Sequence, residues 1–343
     1  MRDSHPLRPH VDPIELEERL RAYFDFGRML DLSFVYGGFM CHNYRLETER
    51  GTFFLKQYRN KVSTIVHEIK HAEEFFASNG LPVLLPVRDR FGRSAFWLNG
   101  HWLSIFPFIT DRRTPAISDI DASFASQLGD LLGRFHEAGR VFDDRHFQPL
   151  QLWDRRKFMM EYVEIEQELL RREPLSDLER RMAEVLRQKA EFVKTNAVMA
   201  YQVRAPYDCL LHGDFIYNNL FINSRKEITD VYDLEKACVG PSAYEVSRSL
   251  IVNCFDNGFA DENFELGRAF LSAYRSHVPL SFEEFSEGVR MYRTQLLHAD
   301  WIESRFLIYE IDSQLELYER HARRVEWMLA HFDGFCERAF PTE

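Results

Sequence analysis

Leu210-Leu211-His212-Gly213-Asp214-Phe215-Ile216-Tyr217-Asn218-Asn219-Leu220-Phe221-Ile222 sets a polar loop between two apolar runs. Asn219 follows Asp214 by five residues, and the polar turn Asn223-Ser224-Arg225-Lys226-Glu227 then leads into Ile228-Thr229-Asp230-Val231-Tyr232-Asp233. That second β-prone run ends on another aspartate, fourteen residues beyond Asn219. Short apolar runs bounded by turn residues read as buried strands. The stretch is therefore expected to be strand, loop, strand, turn and strand, with a histidine, two carboxylates and an amide at its ends.

Working outward toward the N-terminus, residues 150–200 hold amphipathic helices rich in Arg and Glu, with a loop at 171–180 around Pro174. Before them, Ile120, Phe124, Leu128, Leu131 and Phe135 trace one helical face, opened by a capping box of Ser118 and Asp121. Gly129 and Gly133, four apart in that helix, predict a close approach by a second helix. His136 closes it and reads as a packed or helix-terminal histidine. Residues 32–109 change to strand patterns: Phe34-Val35-Tyr36 before Gly37-Gly38, then Asn43 to Leu46, Thr52 to Lys56, Val83 to Val87, and Ala95 to Leu98 before an Asn99-Gly100 turn. A helix interrupts them over Ser63 to Asn79, its stripe Ile65, Ile69, Ala72 and Phe76. A leading helix is expected at about 13–25, with Pro13 at its first turn.

Bulk properties narrow the classes. The 343 residues are 45% hydrophobic and 28% charged, as in an ordinary globular protein large enough for a substantial core. A net charge of −11 argues against nucleic acid or an anionic membrane surface as partner. The five cysteines are scattered without a Cys-x-x-Cys pair, which favours a reducing compartment over a disulfide or zinc framework. Neither a signal-peptide core nor a membrane-length apolar run is present, so a cytoplasmic location is expected.

The spacing His-x-Asp-x4-Asn, with an Asp one hairpin later, is that of kinase catalytic loops. His212-Gly213-Asp214 in this setting resembles the aminoglycoside phosphotransferase and choline kinase family, which includes homoserine-kinase-like enzymes and writes His-Gly-Asp where protein kinases write His-Arg-Asp. The resemblance spans roughly residues 30 to 250 and is strongest over 210–245. Asp233-Leu234-Glu235 stands where protein kinases have Asp-Phe-Gly, and an acidic third residue is usual in this family. Gly240-Pro241 with Tyr244-Glu245-Val246 is similar to the family's Gly-x-Pro…Asp-Leu-Ala segment, Glu245 replacing the usual Asp in an anchoring position.

What the resemblance implies is an α+β, bilobal protein-kinase-like fold. Its small antiparallel-sheet N-lobe, residues 1–108, would carry one main helix, and its larger, mostly helical C-lobe, 109–343, would hold the loop 210–222 and the metal-binding segment 228–235. Asp214 would orient or deprotonate the acceptor hydroxyl, and His212 would fix the loop. Asn219 and Asp233 would bind Mg²⁺, and Lys56 the phosphates of ATP. A helix glutamate would pair with Lys56, Glu68 first and Glu73 or Glu74 as alternatives. Gly37 and Gly38 read either as a phosphate-covering loop or as a tight turn, and the backbone from Phe106 to Phe108 would meet the adenine edge. Asp300, Trp301, Glu303 and Arg305, expected in one helix, would line the acceptor side, or else belong to the core.

The activity this implies is a Mg- and ATP-dependent transfer to a hydroxyl of a small molecule, amino-containing and aminoglycoside-like, amino-alcohol or homoserine-like. A stress-response serine/threonine protein kinase and a non-catalytic nucleotide-binding scaffold are the alternatives. The loop names the reaction and leaves the acceptor, the oligomeric state and the choice of ATP over GTP open.

Overall fold

The computed structural model describes residues 11–341 apart from 36–40, 60, 143–146, 197–201 and 313–314. Its elements in chain order are α1 (Pro13–Tyr23), β1 (Met29–Val35), β2 (Cys41–Thr48), β3 (Gly51–Tyr58), α2 (Ser63–Ser78), β4 (Phe96–Leu98), β5 (His101–Pro107), α3 (Ala122–Gly139), α4 (Arg155–Arg171) and α5 (Asp177–Thr195). There follow β6 (Cys209–Leu211), β7 (Leu220–Ile222), β8 (Ile228–Val231), β9 (Cys238–Gly240), α6 (Ser242–Cys254), α7 (Asp261–Arg275), α8 (Phe282–Leu297), α9 (Trp301–Leu307), α10 (Leu315–Ala330) and α11 (Phe332–Ala339). The chain folds as two compact units, one of residues 1–114 and 219–237, the other of 115–218 and 238–343.

The first unit is built on an antiparallel sheet ordered β1-β2-β3-β5-β4. The period of two along each strand separates its faces. Tyr44, Leu46, Leu55, Leu103 and Ile105 point to one side and bury Leu16 and Leu20 of α1 together with Phe24. Cys41 and Tyr58 point to the other, against Val66 and Ile69 of α2. Lys56 is two residues from Tyr58 and so shares the α2 face, although it is a lysine and only 4% exposed. The segment expected as a strand over 83–87 makes a single parallel bridge, with Val231 N donating to Pro82 O at 2.7 Å and Leu84 N to Val231 O at 2.9 Å. A second bridge joins Arg113 to Ile222. These bonds place residues 228–235 in the first unit, whereas the sequence assigns them to the helical lobe.

The second unit is helical, with a short β6–β9 ladder at its centre. Helix α3 starts one residue after Asp121, whose side chain accepts from Phe124 N at 2.9 Å, while Ser118 lies in a preceding 3₁₀ turn. The cap is Asp121 alone, not the Ser118–Asp121 box. The helix expected across 298–305 is interrupted: α8 ends at Leu297, His298 caps it, and α9 begins at Trp301 with Asp300 at its N-cap. Gly129 does bring a helix close, since a Cβ there would lie 2.0 Å from the Phe270 carbonyl oxygen of α7. Among the described residues no helix is long and apolar enough to cross a membrane.

Because that oxygen belongs to backbone, Gly129→Ala can be accommodated only by moving α3 from α7. It is expected to cost at least about 1–3 kcal/mol, the usual range for overpacking, read as a lowered urea midpoint with an unchanged slope.

Candidate active site

In the second unit, the loop after β6 is bonded along its length to one face of α6. Glu245 Oε2 accepts from His212 N at 3.0 Å and Glu245 Oε1 from Gly213 N at 2.5 Å. Gly213 has φ of +82°, a conformation that glycine enters without penalty and that turns both amides toward the carboxylate. One turn further along α6, Arg248 donates through Nη2 to Asp214 Oδ1. Asn253 accepts from Tyr217 N at 2.7 Å and donates to Phe215 O at 3.4 Å. Just past the helix, Asp256 receives the Tyr217 hydroxyl at 3.1 Å.

The electrostatics follow from burial. Glu245 is 1% exposed, and desolvation alone would raise its pKa. The hydrogen bond and charge of His136, with Nε2 at 3.0 Å, and the Gly213 amide outweigh that and hold the carboxyl below the usual range. The other His136 nitrogen lies 2.8 Å from the Tyr274 hydroxyl, so His136 is a packed, doubly bonded histidine. Burial likewise opposes the charge on Arg248, and Asp214 more than restores it, leaving the guanidinium raised. His212 is fully buried, and its Nδ1 accepts from Asp214 N at 3.2 Å, a contact that shapes the turn.

The first unit holds a separate ionic cluster. Lys56 Nζ lies 2.5 Å from Asp233 Oδ1 and 3.2 Å from Glu235 Oε2. Desolvation would lower the lysine pKa; Asp233, Tyr232, Cys41 and Glu235 together raise it well above its ordinary value. Asp233 is in the left-handed region at φ +67°, a strained state for a non-glycine residue. That turn brings Asp233 and Glu235 onto the same ammonium. Tyr232 N donates to Asn219 O at 2.8 Å, so Asn219 and Asp233 are stitched together by the β7–β8 hairpin and its flanks. An amide, and a carboxylate whose side chain is about a third exposed, suit a hard cation completed by phosphates and water.

Sequence reasoning pairs Lys56 with Glu68, and the structure does not. Among the described residues Lys56 is bonded to Asp233 and Glu235, while Glu68 Oε2 is buried without a hydrogen-bond partner. Glu73 is taken by Lys70, one turn earlier on α2, at 2.8 and 2.9 Å, and Glu74 pairs with Arg88 at 2.8 Å. Gly37 and Gly38 lie outside the described residues. Phe106 is buried beside Tyr232, with ring centroids 5.2 Å apart, and Phe108 carries the Arg45 guanidinium 5.6 Å from its ring. Strand β4 covers β5 only from His101 to Leu103, and the outer edge beyond it receives Val87 N at Ile105 O, 2.7 Å.

The four residues expected on the acceptor side lie at the N-cap of α9 and within α9, in the helical unit. Glu303 is fully buried in an ion pair with Lys189 at 2.7 Å, and that lysine also reaches Ala299 O and His321. Asp300 is buried nearby, Trp301 is partly exposed beside His321, and the Arg305 carbonyl accepts from Ile311 N. Glu303 is thus committed to the core. Sequence reasoning missed Arg248, Asn253 and Asp256. A signal for the first two is present in the polar series Glu245, Arg248, Ser249 and Asn253, which recurs at helical spacing through α6.

The fold and the His-Gly-Asp loop on its α6 rack define a kinase-like phosphotransferase. Residues 31–282 match the model of the phosphotransferase enzyme family, and the chain belongs to that family. It is 26% identical over 278 residues to homoserine kinase of Beijerinckia indica subsp. indica, covering 80% of each chain. It is 25% identical over 303 residues to homoserine kinase of Caulobacter vibrioides, covering 84% of this chain and 87% of that one. Among solved structures it resembles a spectinomycin phosphotransferase held with ADP and spectinomycin, at TM-score 0.69 and 13% identity over 96% of this chain and 100% of that one. It also resembles a microcompartment-associated aminopropanol kinase, at TM-score 0.62 and 15% identity over 96% and 99%.

Asp300 offers a test of the buried cluster. Burial, then Glu161 and Glu303, push its pKa up to about 7. Between the unfolded value and about 7, the native state holds a proton that the unfolded chain releases, so this group's stability contribution is lost as pH rises through that window. Asp300→Asn is expected to flatten the decline measured by urea unfolding between pH 5 and 8. A decline as steep as in the parent protein would show the carboxyl to be ionised throughout.

Proposed function

We propose that the protein transfers the γ-phosphoryl group of ATP, with Mg²⁺, to a hydroxyl of a small molecule that carries an amino group. The observation that carries this reading is the fixed presentation of Asp214. Its backbone neighbours are tied to Glu245 and Asn253, and its carboxylate is held by Arg248. A carboxylate placed in this way can accept a hydrogen bond from an acceptor hydroxyl and take its proton as the new P–O bond forms. Asn219 and Asp233 are the residues that would hold Mg²⁺, whose chemistry is to offset the charge of the phosphates. Lys56, kept charged in its acidic cluster, would bind phosphate oxygens.

Arg248 also bears on the acceptor. It offsets the Asp214 charge, so the immediate surroundings of the base are close to neutral. That setting suits a hydroxyl compound with a compensating carboxylate better than a polycation. Two homoserine kinases over four-fifths or more of the chain point the same way, so a homoserine-like amino acid is the acceptor we favour. The work is positioning and charge neutralisation, and no covalent enzyme intermediate is involved.

Asp214→Asn is expected to lower kcat by roughly 10²–10⁴-fold, the usual contribution of a general base, while nucleotide affinity measured by calorimetry stays within about twofold. Turnover equal to the parent's would remove Asp214 from the chemistry. Nucleotide consumption assayed with homoserine, aminopropanol, spectinomycin and a generic protein substrate should rise most with homoserine. A preference for the aminocyclitol or the protein would overturn the acceptor assignment.

A further inference from the structure

We propose that Glu235 is the positioning residue for Lys56, in the place where the kinase pattern puts a helix glutamate. The inference rests on the Mg-nucleotide reading above and concerns which acid keeps the phosphate-binding lysine in its pose.

Both helix acids near this face are unsuited to the task. Glu73 gives both oxygens to Lys70 at 2.8 and 2.9 Å, within a pair whose partners are 4% and 5% exposed. Drawing Glu73 away to Lys56 would leave the Lys70 ammonium buried without its counter-charge, a penalty of several kcal/mol that one new contact does not offset. Glu68, the residue at the helical position expected from sequence, makes no bond to Lys56 and keeps a buried oxygen with no hydrogen-bond partner.

Glu235 is fixed from several sides. Its Oε2 lies 3.2 Å from Lys56 Nζ and accepts from the Cys41 thiol at 2.9 Å. Its carbonyl oxygen accepts from Lys61 Nζ at 3.2 Å, and that ammonium lies 3.5 Å from Oε1. The carboxylate is 5% exposed, so water does not compete for it. Its Oε1 has no hydrogen bond, which leaves acceptor capacity in place.

That spare capacity matters for the order of events. Asp233 holds Lys56 in this structure and is also the residue that would face the metal. Were Asp233 to hold a cation, Lys56 would lose one counter-charge, and Glu235 would remain as the other. Asp233 and Glu235 are two apart, and the left-handed turn at Asp233 is what sets both against one ammonium. The lysine anchor therefore resides in the turn that follows the β7–β8 hairpin, beside a residue that would hold the metal, and α2 is relieved of it.

The test is a thermodynamic cycle on nucleotide binding, measured by calorimetry with Mg-ADP and no acceptor. Glu235→Gln should weaken binding about tenfold or more, the scale of one charge-assisted hydrogen bond, while Glu68→Gln changes it less than about twofold. In a Lys56→Met background, Glu235→Gln should change affinity less than about twofold, because the residue acts through the lysine. Thermal unfolding of each variant confirms that it is folded. Parent-like affinity in folded Glu235→Gln, a full effect persisting without Lys56, or a tenfold loss in Glu68→Gln would each overturn the assignment. If the parent protein binds no Mg-nucleotide, the phosphotransfer reading fails first and takes this one with it.

Discussion

A single buried carboxylate organises the His-Gly-Asp loop. Glu245 replaces water for the amides of His212 and Gly213 and for one nitrogen of His136, with almost no solvent exposure of its own. A buried charge of this kind is tolerated only when nearly all of its acceptor capacity is used. Here the groups that satisfy it are the backbone of the very turn that presents Asp214. The cost of burying the charge and the need to fix the loop are met by the same hydrogen bonds. The glycine in the middle is part of the arrangement, since a side chain at φ +82° would strain the turn that aims its amide.

From that anchor the rest of the loop is registered along α6. Successive loop residues meet side chains at positions 245, 248, 253 and 256, spacings of three, five and three that approximate helical turns. A loop held at several points by one rigid helix loses little entropy on binding ligand, which is the physical content of preorganisation. Asp256 extends the series through Arg320 at 2.6 Å and through Arg324, so α10 is tied to the same loop.

Much of this was legible in the sequence, and the losses have a common cause. Strand alternation, the α2 stripe, the Gly129 approach and the loop spacing are local or periodic, and periodicity survives without knowledge of tertiary partners. The ion-pair partners were not legible. Lys56 could have met Glu68, Glu73 or Glu235, and only the competing claim of Lys70 on Glu73 and the backbone turn at Asp233 decide it. Likewise Asp300 and Glu303 look like pocket acids in a linear reading, yet Lys189, more than a hundred residues earlier, draws Glu303 inward. The unbroken helix expected over 298–305 failed because His298 bonds its own Nδ1 to Thr294 O at 2.7 Å and stops α8.

The two units hold different parts of the motif. The sheet unit contains Lys56 on β3, with Asn219 and Asp233 at the two ends of the β7–β8 hairpin. The helical unit contains Asp214, fastened to α6 through Arg248. The chain passes from one to the other between Asn218 and Asn219, inside the motif itself. The five-residue step from Asp214 to Asn219 is therefore more than a spacing within a loop. It is the covalent passage from one unit to the other, and an insertion or deletion there would alter the connection between residues that each unit holds by itself. The spacing of the motif is therefore readable along the chain, whereas the contact of Arg248 with Asp214 comes from the fold and is encoded by no motif spacing.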